Sequence, residues 1–257
     1  MCFDHDSRPP IEPIAGGALD TERLTLQSAD GTPFTAFRAR AAAPIGAGMI
    51  VLPDVRGLHP YYEELTARFA EHGLDAIGID YFGRTAGLAP RPADFEFMPH
   101  VARTTMAGLR ADIAAAAAAL RAGTAGRPGP EHVFAMGFCF GGRLAYVAAT
   151  FDLDLEGVVG FYGWPVGATR NDVPAPSDVA ARMRGRVLAI YGGADQAIPA
   201  EAIATFDAAL DAAGVERRTV VYPDAPHSFF DRKAADFADA SGAAWDEVLR
   251  FVGAVSA

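Results

Sequence analysis

The hexapeptide Gly137-Phe138-Cys139-Phe140-Gly141-Gly142 constrains this chain most. It follows a short apolar run, 133–136, and precedes a run of small residues, 144–149. That succession reads as strand, sharp turn and helix, with a cysteine at the apex. The pattern matches G-x-S-x-G, the nucleophile elbow, with sulfur in place of the hydroxyl. Glycines two before and two after the apex suit a strained turn, where a Cβ would crowd the adjacent backbone. A cysteine held there points out of the top of a sheet, beside the unsatisfied N–H groups of a helix N-terminus. Such a place favours the thiolate and supplies an oxyanion hole.

The rest of the chain suits such an elbow. At 257 residues and 51% hydrophobic, it can bury a full core. No run approaches the ~18 uninterrupted apolar residues of a membrane span. The N-terminus lacks the basic-then-apolar layout of a secretory signal, so a cytoplasmic protein is expected. A net charge of −10 argues against nucleic acid, whose affinity rests on phosphate neutralisation. Two cysteines make no disulfide framework, and Cys2 lies at the extreme end of the chain.

Residues 1–20, rich in Pro, Gly and charge, read as an N-terminal arm. Residues 21–257 read as a single catalytic domain. Alternation over 23–27 and 34–40, around Asp30-Gly31, predicts an antiparallel hairpin. Beyond it, strands are expected at 49–52, 74–79, 132–136, 157–161, 187–191 and 218–222. Helices are expected at 60–72, 99–122, 142–150, 199–213 and 241–255. Continuous apolar strands separated by helices imply a mostly parallel sheet covered on both faces. A hairpin leading into such a doubly wound sheet is the α/β-hydrolase layout. The Pro- and Gly-rich segments 84–99 and 163–176 are candidate loops over a site. Neither is large enough for a lid domain.

In that layout the order is nucleophile, acid, histidine. His227 is the one histidine after Cys139, in a loop beyond the last apolar strand. Asp195 follows the strand at 187–191 through Gly192-Gly193-Ala194, where a carboxylate reaches the imidazole and holds its tautomer. Asp224, three residues before His227, is the rival acid and suits a turn better. The backbone N–H groups of Val55 and Phe140 are the expected oxyanion donors. No phosphate-binding loop, dinucleotide fingerprint or metal-ligand spacing is present, so no cofactor or metal is expected. Phe82, Phe138, Phe140, Tyr162, Trp164, Phe229 and Phe230 cluster around these motifs and suggest a small apolar acyl pocket.

These segments resemble the dienelactone hydrolase (carboxymethylenebutenolidase) family. They are Leu52-Pro53-Asp54-Val55-Arg56-Gly57-Leu58, Asp80-Tyr81-Phe82-Gly83-Arg84, Gly137–Gly142, Phe161-Tyr162-Gly163, Gly192-Gly193-Ala194-Asp195 and His227-Ser228-Phe229. The resemblance implies an α/β-hydrolase fold and a Cys139-Asp195-His227 triad. It further implies a carboxylate near the resting thiol, at Asp54, and two arginines for a substrate carboxylate. Arg84 matches the first. The second position holds Asp231, with Arg232 one place later. Asp54, Arg84, Arg232 and Tyr162 are the expected substrate contacts. The expected partner is a small ester or lactone, with no nucleic acid and no membrane, acting as a monomer or homodimer. Two readings compete with ester or lactone hydrolysis: a broad carboxylesterase, and a non-hydrolytic homologue that binds a small ligand or senses oxidants through Cys139.

Overall fold

The computed structural model describes residues 3–124 and 126–254, and Cys2 lies outside them. The chain runs through β1 (Ala18–Gln27), β2 (Pro33–Ala41), β3 (Ala47–Leu52), α1 (Pro60–Glu71), β4 (Asp75–Ile79), α2 (Gly83–Ala86), α3 (Phe97–Arg103) and α4 (Met106–Arg121). It continues through β5 (His132–Phe138), α5 (Phe140–Ala148), β6 (Leu155–Phe161), α6 (Pro176–Val179), β7 (Arg186–Gly192), α7 (Ala200–Ala212), β8 (Arg217–Tyr222) and α8 (Ala238–Phe251). The strands form one sheet in the order β1-β2-β4-β3-β5-β6-β7-β8. The β1–β2 and β2–β4 pairs are antiparallel, and the remaining pairs are parallel. This is the α/β-hydrolase fold.

Burial explains the strand patterns. All six residues of β3 are buried, as are all but the first of β5 and of β7. Helices cover both faces there, so an apolar run is stable where alternation would not be. β8 lies at the sheet edge, and none of its residues is buried. After β3 the chain moves outward to β4, then returns to β5 on the other side of β3. The carboxyl ends of β3 and β5 thus flank the switch point where such sheets place their ligands.

Two expectations need correction. The single helix at 99–122 is two, α3 and α4. Thr104 is extended, and the Thr105 hydroxyl accepts the Gly108 N–H at 3.1 Å, capping a new helix. β1 starts at Ala18, inside the expected arm, because its pairing with β2 continues to Ala41. The last helix ends at Phe251, and Val255 lies outside the described residues. Among the described residues no helix is long and apolar enough to cross a membrane.

Candidate active site

Cys139 sits between β5 and α5 with φ 53° and ψ −114°. A positive φ on a residue other than glycine is strained and persists only where surrounding packing enforces it. Two glycines permit that packing. A Cβ on Gly137 would overlap the Gly141 carbonyl, and one on Gly141 would overlap the carbonyls of Leu52 and Pro53. Cys139 N–H donates to the Phe161 carbonyl at 3.0 Å, tying the apex to the end of β6. Phe140 opens α5, so its N–H has no acceptor within the helix.

His227 follows β8. Its Nδ1 lies 2.6 Å from Asp195 Oδ2, a length suited to a charge-assisted bond. Asp195 lies just past β7 and is buried. Its other oxygen accepts the Ala197 N–H at 2.8 Å and the Ile198 N–H at 3.3 Å. Those bonds fix the carboxylate and, through it, the ring. The Tyr162 ring packs 4.8 Å from the imidazole, from a backbone at φ 39°. Burial holds the Tyr162 phenol protonated, well above its ordinary range. Asp224 is exposed and lines a separate groove, so it does not compete with Asp195.

Cys139, Asp195 and His227 line one cavity of about 540 Å³, with Phe140, Tyr162, Trp164 and Ile198 among its walls. Of the seven aromatics expected to line a pocket, Phe140, Tyr162 and Trp164 do so. Phe82, Phe138, Phe229 and Phe230 are fully buried and belong to the core instead. The segment 163–175 forms one wall, through Trp164 and Thr169.

Sequence reasoning missed the residue that holds this wall. Arg143, one turn beyond Cys139, is buried. Its Nη atoms donate to the carbonyls of Trp164 (3.1 Å), Val166 (3.3 Å), Gly167 (2.9 Å) and Val173 (3.3 Å). Burial brings its pKa down to about 10. The signal was present: it is the one charged residue in an otherwise apolar, small-residue helix.

The arginine expectations need revision. Arg84 does not line the cavity. Its Nε binds Asp112 Oδ2 at 2.9 Å and its Nη1 binds Asp30 Oδ2 at 2.6 Å, joining α2 to α4 and the β1–β2 turn. Asp112 is buried on α4 and claims the guanidinium. Arg232 lines the cavity and is exposed at its rim. Asp54 is buried and accepts from the Arg56 N–H (2.8 Å) and Nε (3.1 Å). Asp231 is also buried and ion-paired to Arg56, so its charge is answered within the protein and does not face the cavity. The Val55 side chain lines a smaller aromatic cavity, of about 160 Å³, rather than the main one. Its loop nevertheless abuts the elbow, through the Gly141 contact with Leu52 and Pro53. The Tyr81 hydroxyl lies 2.6 Å from the Pro53 carbonyl and 2.9 Å from that of Asp54, fixing the same loop.

Comparison with known proteins bears on the family and the fold. The model of the "Dienelactone hydrolase family" matches residues 34–256. A Salmonella typhimurium (strain LT2) protein named "Putative carboxymethylenebutenolidase" is 32% identical over 237 residues, covering 86% of this chain and 84% of that one. A Klebsiella pneumoniae crystal structure titled "Putative Dienelactone Hydrolase" superposes with a TM-score of 0.75 at 27% identity, covering 91% of this chain and 99% of the other. A dienelactone hydrolase-like promiscuous phosphotriesterase from metagenomic libraries shares the fold, with a TM-score of 0.71 at 22% identity over 91% and 98% of the two chains. With a family match over most of its length, and the elbow, acid and histidine in the order that fold requires, the chain belongs to the dienelactone hydrolase family and is a hydrolase of that family.

Proposed function

We propose that this protein hydrolyses small esters or lactones through a thioester acyl-enzyme, with Cys139 as nucleophile, His227 as base and Asp195 as its orienting carboxylate. The observation that carries the reading is the 2.6 Å Asp195–His227 bond in the cavity that Cys139 also lines. With the Nδ1 proton held on Asp195, Nε2 is the basic nitrogen of the ring. His227 takes the thiol proton and the thiolate attacks the ester carbonyl carbon. The oxyanion that forms is assigned to the N–H groups of Phe140 and Val55. Among the described residues, no backbone or side-chain acceptor takes the Val55 N–H. As the tetrahedral species collapses, the C–O bond breaks and the alkoxide leaves with the proton from His227. Water, deprotonated by His227, then attacks the thioester, and the C–S bond breaks to release the acid and restore the thiol.

A thiolate leaves more readily than an amine, so attack on an amide reverses while attack on an ester proceeds. That favours esters and lactones over peptides. A persistent thiol nucleophile suits a reducing compartment, and the cytoplasm is the assigned location. The position of Arg84 favours broad carboxylesterase activity over strict selection for a substrate carboxylate. Arg232, at the rim, is the remaining assigned cation for such a group.

The test is turnover of p-nitrophenyl acetate and a dienelactone by the wild type and Cys139→Ala. The variant is expected to lose at least about 10³-fold in kcat. Retention of wild-type rates would remove Cys139 as nucleophile. An inert wild type that still binds small ligands or oxidises at Cys139 would favour the non-hydrolytic reading. If Arg232→Ala lowers kcat/KM equally on neutral and carboxylated esters, Arg232 does not select the anion.

A further inference from the structure

Arg56 lies next to Val55 but takes no part in lining the cavity that holds Cys139. It is buried, and three separate stretches of chain converge on it. The first is its own loop, where its N–H and Nε bind Asp54 Oδ1 and its Nη2 lies 3.0 Å from Asp54 Oδ2. The second follows His227, where Nη2 is ion-paired with Asp231. The third is the N-terminal arm, where Nη1 donates to the Asp4 carbonyl at 3.0 Å and to Ser7 Oγ at 3.1 Å. The guanidinium carbon also lies 4.7 Å from the Phe3 ring centre, 5.1 Å from that of Tyr61 and 5.3 Å from that of Tyr62, within cation–π reach.

A planar guanidinium with five donors can hold several acceptors at once in fixed directions, which an ammonium cannot. Here that capacity is spent on the loop 53–59 between β3 and α1, which has no regular secondary structure of its own. Without Arg56, Asp54 and Asp231 would be two buried carboxylates sharing one site with no cation between them. Such an arrangement relaxes by moving the backbone or admitting water. The backbone that would move carries the Val55 N–H.

We infer that Arg56 is the positioning residue of the oxyanion loop, clasped in place by the N-terminal arm and by Asp231. The inference rests on the esterase reading above. It also gives Asp231 a role: where an arginine was expected to meet the substrate, an aspartate instead anchors an arginine of the neighbouring loop. Residues 3–7 then contribute to catalysis without touching substrate.

The experiment compares two reactions of one thiol. Ester hydrolysis needs an oxyanion hole. Alkylation of Cys139 by iodoacetamide is a direct displacement and needs none. In folded Arg56→Met, kcat on p-nitrophenyl acetate is expected to fall about 10–100-fold, up to the lower end of what losing one oxyanion donor costs. KM and the alkylation rate should stay within about twofold of wild type on the same reasoning. Arg56→Lys keeps the charge without the fork and should fall between the two. Ser7→Ala, which removes one arm contact, should show a smaller loss of the same kind and carries the test if Arg56→Met does not fold. Unchanged kcat in the folded variants would overturn the inference. So would a parallel fall in alkylation, because Arg56 would then act on the thiol or His227. A wild type that alkylates at Cys139 yet hydrolyses no ester would instead overturn the esterase reading, and the oxyanion role with it.

Discussion

Two groups of charged side chains flank the elbow, and they are built from similar parts. In one, Asp195 holds His227 at 2.6 Å. In the other, Asp54 and Asp231 hold Arg56. The first opens on the cavity that Cys139 also lines, where its imidazole is within reach of a small molecule. The second is sealed by Phe3, Tyr61 and Tyr62, and its cation keeps its proton. A carboxylate that holds a cavity-lining imidazole orients a group that a small molecule can meet. A carboxylate beside a buried guanidinium can only hold structure. The difference lies in the partner and its access, because all three acids are buried.

The comparison is sharpest at Asp195. Asp195→Asn keeps the shape but allows the wrong tautomer, and kcat should fall by about 10³–10⁴-fold. A loss below tenfold would mean the open pair is as structural as the closed one. Gly141→Ala tests the ground between the two groups, since its Cβ would strike the backbone of Leu52 and Pro53. We expect a loss of about 3 kcal/mol or more in urea denaturation, with activity lost in the folded fraction. Arg84→Ala extends the closed type of site to a place remote from the cavity. Removing the partner of buried Asp112 should cost about 2–3 kcal/mol of stability, discounted for the partial exposure of Arg84. Its kcat/KM on neutral and carboxylated esters should hardly change. A selective loss on the carboxylated ester would return Arg84 to the substrate.

The smallest expected effect lies at His59, which caps α1 by accepting the Tyr61 N–H on Nδ1. Burial first, and then the charge of Arg56, push its pKa down to about 4. The unfolded chain, with a histidine near 6.5, therefore takes up the proton first. Stability contributed by neutral His59 is present above about pH 6.5 and is lost as pH falls toward about 4. His59→Asn keeps a cap acceptor and removes the titration. Its urea midpoint should fall less steeply between pH 6.5 and 4 than that of the wild type. An unchanged slope would show that another group carries it.

The strand–turn–helix around Cys139, the placing of Asp195 after β7 and of His227 after β8, and the parallel sheet were all legible in the sequence. Each rests on local signals: Gly137 and Gly141 around Cys139, apolar runs at β3, β5 and β7, and a lone histidine after β8. The break between α3 and α4 was hidden, because Thr104-Thr105 reads as continuous helix until the capping bond to Gly108 is seen. The arginines were not legible for a deeper reason. Arg56, Arg84 and Arg143 have long side chains that reach any of several partners, and sequence spacing does not say which acid or carbonyl lies within reach. The tertiary structure alone decided that Asp112 claims Arg84, that Asp231 and Asp54 claim Arg56, and that four carbonyls of one loop claim Arg143. Backbone-directed features are set by neighbours in the chain. Ion pairs are set by neighbours in space, and only the folded chain brings those together.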